Sequence, residues 1–278
     1  MRRFAFIALL GIVAAPLACG DPRPDPAAVA PTPVLIELYT SEGCSSCPPA
    51  DRLLTELTAE QPIAGAEVIA LGEHVDYWDS LGWRDRFSSH AFTARQSESQ
   101  RKAFGSSTIY TPQIVVDGVH EAVGSDRAAV RDAIAQAART PKGEVRLTTA
   151  APENDIAPVT IRLDLHAAGS HALADILVAV VEDDLTTDVT RGENRGRTLT
   201  HNAVVRRLSV VGALDAGKAV AELTTGVRLD PDWRIKNLRI VAFVQERQSR
   251  RVRGVASATI APDPRPRNAE ESRSRRPI

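Results

Sequence analysis

The feature that most constrains this chain is a pair of cysteines, Cys44 and Cys47, that separates an apolar run from a helical pattern. Residues 34–40 (VLIELYT) predict a buried strand, and residues 48–60 predict a helix. The N-terminus of a helix offers unpaired N–H groups and the positive end of the helix dipole, and both stabilise a thiolate. We therefore expect Cys44 to be an exposed, acidic nucleophile and Cys47 to be the buried thiol that resolves a mixed disulfide.

The spacing of the two cysteines leaves other interpretations open. Half of a zinc site has the same spacing, and a cysteine pair can also form a purely structural disulfide. The chain has only 3 cysteines, however, which is too few for a four-thiolate zinc site or a disulfide scaffold. The sequence contains no Gly-rich phosphate loop and no G-x-S-x-G or H-E-x-x-H motif, so nucleotide use, serine hydrolysis and zincin chemistry have no support.

Composition limits the partners of the chain. Its 278 residues include 34 Lys and Arg against 35 Asp and Glu, which gives a formal charge of −1. This balance provides no electrostatic reason to expect nucleic acid or a membrane surface as a partner. A hydrophobic fraction of 43% is ordinary for a soluble protein, and the length favours about two domains.

Strands and helices alternate in the first half of the chain. Further strands are predicted at 66–75 and 113–117, and helices are predicted at 89–104 and 125–139. Ser125 is the expected N-cap of the last helix. This alternation is typical of an α/β sheet.

The pattern changes to strands alone near residue 141. Several short strands separated by Gly, Pro and Asp turns favour a small antiparallel sandwich. We therefore expect an α/β domain over residues 34–141, followed by a small antiparallel β-sandwich domain over residues 142–261. The strands predicted in the second domain are 144–150, 157–167, 174–182, 203–211, 218–224, 236–245 and 251–260.

The N-terminus predicts export. Residues 1–18 begin with Met-Arg-Arg and continue as an apolar run that is too short to span a membrane, which is the pattern of a secretory signal peptide. Cys19 follows a small residue and resembles the lipidated cysteine of bacterial lipoproteins; the alternative is ordinary cleavage nearby, with Cys19 incidental. We expect a periplasmic protein, or a lipoprotein that meets the membrane only through its lipid anchor. Residues 19–33 predict a flexible tether and residues 262–278 a disordered tail.

Two segments of the first half resemble the hallmarks of the thioredoxin superfamily. VLIELYTSEGCSSC, residues 34–47, resembles the strand and redox motif of protein disulfide isomerases. YTPQIVVDG, residues 110–118, resembles the loop that carries a cis-proline before the next strand. The resemblance implies an α/β thioredoxin-like domain, a cis Thr111–Pro112 peptide bond, and a loop around Thr111 and Pro112 that faces the substrate.

Glu37 is the only charged residue in the predicted strand 34–40. If it is buried near the thiols, its pKa is raised and it can take the proton of Cys47, as the matching glutamate of disulfide isomerases is thought to do. The alternative is an outward-facing residue of an edge strand. We expect Glu37 to act as the proton relay.

Four phrases also resemble an uncharacterised bacterial family of secreted thioredoxin-fold proteins, domain of unknown function 1223. They are ELYTSEGCSSCPPAD, HVDYWDSLGW, YTPQIVVDG and RGENRGRTLTHNAVVR. The resemblance extends through the second domain but implies no substrate. The polar stretch at 191–201 can dock on the redox face or form a solvated turn, and the sequence leaves both open.

His74 and Trp78 follow a predicted central strand, at the sheet edge where the sites of α/β proteins lie. Trp78 belongs to a cluster of aromatic residues that fits a substrate-binding rim for peptides, although core packing explains such clustering equally well. His74 can be a hydrogen-bonded structural residue. Alternatively, it can join Cys44 and Cys47 as a ligand of one copper ion, as in copper chaperones with a thioredoxin fold.

We therefore predict an exported thiol–disulfide oxidoreductase that acts through Cys44 and Cys47 without a cofactor. Its expected partners are envelope proteins with thiols or disulfides, together with an unknown redox partner. The alternative is a copper-binding metallochaperone that uses the same cysteines plus His74. The direction of electron flow does not follow from the sequence, because it depends on the relative stability of thiolate and disulfide.

Overall fold

The structure, a computed structural model, describes residues 30–169 and 172–261. The predicted signal peptide, Cys19 and the tail from residue 262 lie outside the described residues. The described residues from Pro31 to Ala261 belong to one compact unit. In the described part of the chain, no helix is long and apolar enough to cross a membrane.

The first half forms the predicted strands and helices, with bounds that differ by up to two residues. A fourth strand, His120–Val123, was not predicted; it follows the strand Gln113–Val116 through a turn in which Asp117 and Gly118 both have positive φ. Asp126, rather than the expected Ser125, caps the last helix, and its carboxylate accepts a hydrogen bond from the Ala129 N–H at 3.1 Å. The elements are β1 (Thr32–Thr40), α1 (Pro48–Glu60), β2 (Ala66–His74), α2 (His90–Ala103), β3 (Gln113–Val116), β4 (His120–Val123) and α3 (Arg127–Ala137).

All seven strands predicted in the second half are present. Two further strands, Leu185–Asp188 and Thr198–His201, are too short, at four residues each, for the hydrophobic pattern to indicate them. Short 3-10 helices lie at His166–Ala168 and Ile235–Asn237. The strands are β5 (Glu144–Thr149), β6 (Ile156–Asp164), β7 (Ala174–Glu182), β8 (Leu185–Asp188), β9 (Thr198–His201), β10 (Val204–Leu214), β11 (Val220–Arg228), β12 (Leu238–Glu246) and β13 (Val252–Thr259).

One eight-stranded sheet runs through both halves, in the order β13-β12-β7-β10-β2-β1-β3-β4. β1 is parallel to β2 and antiparallel to β3. The halves meet where the Gly72 N–H donates to the Ala203 carbonyl at 2.6 Å, and a Cβ on Gly72 would lie only 3.2 Å from that oxygen. The predicted division near residue 141 therefore does not separate two sheets, because four strands of the second half continue the sheet of the first.

A second, three-stranded sheet in the order β11-β6-β5 packs on the second-half part of the large sheet. Strand β7 lies between two cores because its side chains alternate between the two faces of the sheet. Ile176, Val178 and Val180 join the core with the three-stranded sheet, whereas Leu177, Ala179 and Val181 join the core that contains α1 and α3. The expected sandwich core therefore exists, but one of its two sheets is shared with the first half.

Candidate functional site at the Cys44–Cys47 disulfide

The loop between β1 and α1 carries the cysteine pair. Cys44 and Cys47 form a disulfide with a Cα–Cα distance of 5.4 Å, and α1 begins directly afterwards at Pro48. Both cysteines are 0% exposed, whereas Ser45 and Ser46 between them are exposed. The expectation that Cys44 is exposed is therefore wrong, because other parts of the chain cover the disulfide.

The start of α1 offers fewer free N–H groups than the sequence argument assumed. The Cys47 N–H donates to the Cys44 carbonyl at 3.2 Å, and the Ala50 N–H donates to the Cys47 carbonyl at 2.8 Å. Pro48 and Pro49 have no N–H. Stabilisation of a thiolate at this helix end therefore depends more on the helix dipole than on direct hydrogen bonds from these residues.

Residues 191–197 lie between β8 and β9 in the chain, and they contact the loop that carries the disulfide. We call them the cover loop. Asn194 of this loop is 0% exposed. Its amide Nδ2 donates to the carbonyl oxygen of Glu42 at 2.8 Å and to that of Cys44 at 2.9 Å. The cover loop is thus hydrogen-bonded to the backbone of the cysteine loop.

A second contact of the cover loop lies at the surface. The Glu193 carboxylate accepts a hydrogen bond from the Ser45 N–H at 3.0 Å, and this contact lowers the pKa of Glu193. Of the two roles left open for the stretch 191–201, docking on the cysteine pair is therefore the one observed.

The loop with the cis-proline lies beside the cysteine loop. The Thr111–Pro112 peptide bond is cis, as predicted. The Trp78 indole N–H donates to Thr111 Oγ1 at 2.8 Å, and Trp78 Cβ lies 3.1 Å from the position that a Cβ on Gly43 would occupy. Trp78 therefore links the residue before Cys44 to Thr111.

Pro112 and the first turn of α1 both lie beside Gly124. A Cβ on Gly124 would lie 3.1 Å from the Cβ atoms of both Pro112 and Ala50. The Gly124 N–H also donates to the Pro112 carbonyl at 2.9 Å. Pro112 and Ala50 are therefore neighbours, and the cis-proline loop adjoins the helix that carries Cys47.

Glu37 lies on the opposite face of β1 from Thr40, because side chains alternate along a strand. Its carboxylate forms an ion pair with Arg95 of α2 at 2.5 Å, and Arg95 also lies 3.3 Å from Glu73 of β2. Thr40, by contrast, donates to Asp51 of α1 at 3.0 Å. The proton relay expected of Glu37 is therefore not supported, because the helix that begins at the cysteine pair packs on the other face.

We call Glu37, Glu73 and Arg95 the Glu37 cluster. Burial raises the pKa of Glu73 to about 8, while the charge of Arg95 opposes this effect and the charge of Glu37 adds to it. Burial acts to lower the pKa of Arg95, but the two glutamates raise it overall. One guanidinium thus balances one carboxylate, and Glu73 retains its proton at neutral pH.

The other face of the same strands holds five buried ionisable residues that we call the His201 cluster: Glu42, Asp51, His74, Asp85 and His201. His74 Nδ1 lies 2.6 Å from Asp85 Oδ2, and the Glu42 N–H donates to the same oxygen at 2.8 Å. The His201 ring packs edge-on against the His74 ring, with centroids 4.9 Å apart. His201 Nε2 lies 3.5 Å from Glu42, and its Nδ1 lies 4.0 Å from Asp51.

The His201 cluster contacts both sides of the disulfide and the cover loop. Asp51 lies one helical turn after Cys47, and its N–H donates to the Cys47 carbonyl at 3.1 Å. Glu42 lies two residues before Cys44, and its backbone carbonyl oxygen accepts the hydrogen bond from the Asn194 amide.

Comparison with known proteins gives the family. A family model described as a protein of unknown function, DUF1223, matches residues 35–245. The chain belongs to this family.

Two solved structures share the fold of this DUF1223 protein. Protein AGR_C_4864 from Agrobacterium tumefaciens is 24% identical, with 86% of this chain and 98% of that chain covered and a TM-score of 0.60. HBP35 of Porphyromonas gingivalis is 13% identical, with 86% of this chain and 80% of that chain covered and a TM-score of 0.62. A search of curated proteins finds no match. At these identities the likeness concerns the fold alone.

The acid–base properties of the His201 cluster differ from residue to residue. Burial raises the pKa of Asp51, and His201 and His74 oppose this effect. Burial alone would lower the pKa of His74, but Asp85 outweighs it, so the pKa of His74 is raised. Burial acts to raise the pKa of Asp85, but His74 lowers it overall. Both shifts favour the charged forms of His74 and Asp85, whereas Asp51 takes up a proton more readily than an exposed aspartate.

The copper alternative needs His74 as a third ligand beside the two cysteines. Nδ1 of His74 lies 2.6 Å from Asp85 Oδ2, which leaves Nε2 as the nitrogen that a metal could bind. Within residues 30–169 and 172–261, no group of three or more His, Cys, Asp or Glu side chains is arranged to hold a metal ion. The contacts of His74 therefore do not decide between the structural and the copper-binding alternatives.

A cavity of about 950 Å³ lies between α2 and β10 in this DUF1223 protein. Arg86, Arg206 and Trp233 are among its lining residues, and neither cysteine lines it. The cavity is therefore separate from the disulfide.

Sequence reasoning missed Asp51, Asp85, Glu193, Asn194 and His201. The signal for Asp51 was present, since it lies one turn beyond Cys47 in a helix that was predicted from residue 48. The stretch 191–201 was recognised as one that can dock on the redox face, but nothing local marked Glu193, Asn194 or His201 within it. The Glu193 contact joins residues 148 positions apart, and the Asn194 contact with Glu42 joins residues 152 positions apart.

Proposed function

We propose that this protein is a thiol–disulfide oxidoreductase whose first half, residues 34–141, has a thioredoxin-like fold. The observation that carries the proposal is the position of the Cys44–Cys47 disulfide, between a buried strand and a helix and beside a cis-proline loop. The parallel β1–β2 pair with α1 between them in the chain, followed by the antiparallel β3 and β4, agrees with this fold.

The proposed reaction exchanges one disulfide for another. A substrate thiolate attacks the sulfur of Cys44, the Cys44–Cys47 bond breaks, and the Cys47 thiolate leaves. A second substrate thiolate then attacks the substrate sulfur of the mixed disulfide and releases the Cys44 thiolate. Two electrons pass from the substrate dithiol to the protein, and the two protons that the substrate thiols lose balance those that the two cysteines gain. The reverse sequence reduces a substrate disulfide.

In this proposal Asp51, rather than Glu37, carries the proton of Cys47. Asp51 lies one helical turn after Cys47 and is buried beside Thr40 and His201. Burial raises its pKa, so its carboxyl accepts a proton more readily than that of an exposed aspartate. His201 lies between Asp51 and Glu42, with its ring nitrogens 4.0 Å and 3.5 Å from their carboxylates.

Titration of the cysteine pair against glutathione redox buffers tests the proposal, with the two redox forms separated by alkylation and mass spectrometry. We expect one two-electron transition in the range of known oxidoreductases, about −120 to −270 mV. A potential below about −300 mV, with no exchange against a reduced unfolded protein, would identify a structural disulfide instead. A parallel titration with Cu(I) tests the copper alternative, which requires that Cys44→Ser, Cys47→Ser and His74→Ala all lose the metal.

Trapping identifies the partners. In Cys47→Ser the resolving thiol is missing, so mixed disulfides between Cys44 and substrate cysteines should accumulate. Cys44→Ser is the matched control and should trap far less. If the two variants capture the same small amount of protein, Cys44 is not the attacking residue.

We propose further that the chain is exported to the periplasm, or anchored there as a lipoprotein, and acts on envelope proteins with thiols or disulfides. The signal-like residues 1–18 and the lipobox-like Cys19 support this location. Fractionation of cells that express the full chain tests it. We expect membrane-bound wild type and soluble periplasmic Cys19→Ser, and a cytoplasmic location of the wild type would contradict export.

A further inference from the structure

We infer that the cover loop selects the substrate, because it yields to cysteines on extended polypeptide segments and excludes small thiols. This inference rests on the proposed exchange at Cys44 and Cys47. Both cysteines are 0% exposed, so neither sulfur is within reach of a substrate until a covering segment moves. The cover loop is hydrogen-bonded to Cys44 and Ser45, at the disulfide itself, whereas Trp83 and Asp85 are hydrogen-bonded to Glu42, two residues earlier.

The inner contact of the cover loop is costly to break. Asn194 is 0% exposed and donates to two carbonyl oxygens, those of Glu42 and Cys44. Arg197 holds the other end of the amide by donating from Nη1 to Asn194 Oδ1 at 2.9 Å. Withdrawal of Asn194 without a replacement would leave two carbonyls and an amide with fewer hydrogen-bond partners. A buried polar group that loses its partner costs more free energy than a hydrogen bond that water replaces.

The outer contact is easier to break. Glu193 and Ser45 are both exposed, and their hydrogen bond of 3.0 Å competes with water. Loss of this contact frees the Ser45 N–H, which points to the surface next to Cys44.

An extended polypeptide can replace all three hydrogen bonds. Its backbone presents alternating N–H donors and carbonyl acceptors, which are the groups that the Glu42 and Cys44 carbonyls and the Ser45 N–H require. Dithiothreitol has two thiols and two hydroxyls but no peptide groups in this arrangement. A polypeptide therefore offsets the cost of opening, whereas a small dithiol does not.

The cover loop can lift without disturbing the larger sheets. It connects β8 and β9, which pair only with each other among the strands of the described residues. Gly192 and Gly196 flank Asn194 at φ of 73° and 79°, a backbone region that glycine adopts without strain.

Two reductants and four proteins test the inference. Each oxidised protein reacts either with dithiothreitol or with a reduced peptide of roughly 12 residues that contains a cysteine pair, long enough for an extended strand. Samples are quenched in acid, and the disulfide is quantified by alkylation and mass spectrometry. The proteins are the wild type, Asn194→Ala, Glu193→Gln and, as a matched control in the same loop, Arg195→Ala.

We expect Asn194→Ala to raise the rate with dithiothreitol by about tenfold or more, because it removes two hydrogen bonds that hold the loop closed. The rate with the peptide should change by less than about threefold, since the peptide already replaces these bonds. Glu193→Gln should raise the dithiothreitol rate by less than about threefold. Arg195→Ala should match the wild type with both reductants.

Equal dithiothreitol rates for the wild type and Asn194→Ala would overturn the inference. If Asn194→Ala does not fold, the nearly isosteric Asn194→Asp replaces it, because a carboxylate cannot donate to the Glu42 and Cys44 carbonyls, and an unchanged rate there is equally decisive. The proposed function can fail separately. Faster reduction of Asn194→Ala by dithiothreitol, with no catalysis of disulfide exchange in an unfolded protein, would refute the oxidoreductase and leave the control of access intact.

Discussion

The two faces of the β1–β2 pair both carry buried ionisable residues, but the two groups differ in the kind of charge they hold. On the α2 face, Glu37 and Glu73 are compensated by Arg95. On the α1 face, the carboxylates lie beside imidazoles, those of His74 and His201. A guanidinium stays protonated at every accessible pH, whereas an imidazole can change its charge near neutrality.

This difference indicates separate roles for the two clusters. The Glu37 cluster has a permanent positive charge at its centre, so it is suited to hold α2 on the sheet. The His201 cluster combines groups that can exchange protons with direct contacts to the cysteine loop, through Asp51 and Glu42. We therefore expect substitutions in the first cluster to change stability and substitutions in the second to change thiol exchange.

The largest effect is expected for Arg95→Met. This change leaves Glu37 and Glu73 buried without their cation, and removal of one partner of a buried ion pair costs about 3–5 kcal/mol of unfolding free energy. Denaturant unfolding measures the loss, with the exposed Arg101→Met on the same helix as control. The exchange rate of the folded fraction should equal that of the wild type. A loss below about 1 kcal/mol, the scale of an exposed ion pair, would contradict a structural role for this cluster.

The next effect is expected for Asp51→Asn, which leaves Cys47 without its proposed proton carrier. At pH 7 thiol exchange should slow by about 100-fold, the lower end of the usual contribution of general acid–base catalysis. The pH–rate profile should also lose the limb that the titration of Asp51 produces. The exposed Asp132→Asn is the control. A profile that keeps its shape in Asp51→Asn would show that this carboxyl takes no part in proton transfer.

Local signals in the sequence predicted the elements of the site better than its contacts. The apolar run of β1 and the prolines after Cys47 suffice for a strand followed by a helix, and the cis-proline followed from a motif of nine residues. The partner of Glu37 could not be found this way, because Arg95 lies 58 positions away and nothing local marks it. The two-residue period of β1 does, however, separate Glu37 from Thr40 and would have redirected the search for a proton carrier toward α1.

Long-range pairing also explains why the predicted domain boundary differs from the structure. A change from α/β to all-β pattern near residue 141 is real, but it says nothing about which strands share a sheet. β10 joins β2 through the single pair of Val204 and Gly72. The cover loop belongs to the same half as β10, so this junction brings Asn194 to the disulfide.

A smaller effect, measured per pH unit, is expected for Glu73→Gln. Unfolded Glu73 loses its proton near its ordinary pKa of 4.5, whereas burial keeps it protonated in the fold up to a pKa of about 8. Between these values the folded state binds more protons, so the unfolding free energy falls as pH rises, by up to about 1.4 kcal/mol per pH unit. Glu73→Gln should remove this part of the slope. Glu67→Gln, exposed on the same strand, should leave it unchanged; equal slopes for both variants would contradict the charge balance assigned to the Glu37 cluster.

The smallest effect is expected at the hydrogen bond between Trp78 and Thr111. Trp78 follows β2 and lies between the cysteine loop, at Gly43, and the cis-proline loop, at Thr111. A neutral hydrogen bond of this kind contributes about 0.5–1.5 kcal/mol, and a double-mutant cycle of Trp78→Phe and Thr111→Val isolates it. The control cycle pairs Thr111→Val with Trp233→Phe, whose ring contacts Arg206 in the second half, and it should be additive within about 0.5 kcal/mol. If the unfolding free-energy changes of Trp78→Phe and Thr111→Val are also additive, packing alone holds Trp78 against the cis-proline loop. The juxtaposition on which the proposed function rests would then lack the polar contact that specifies it.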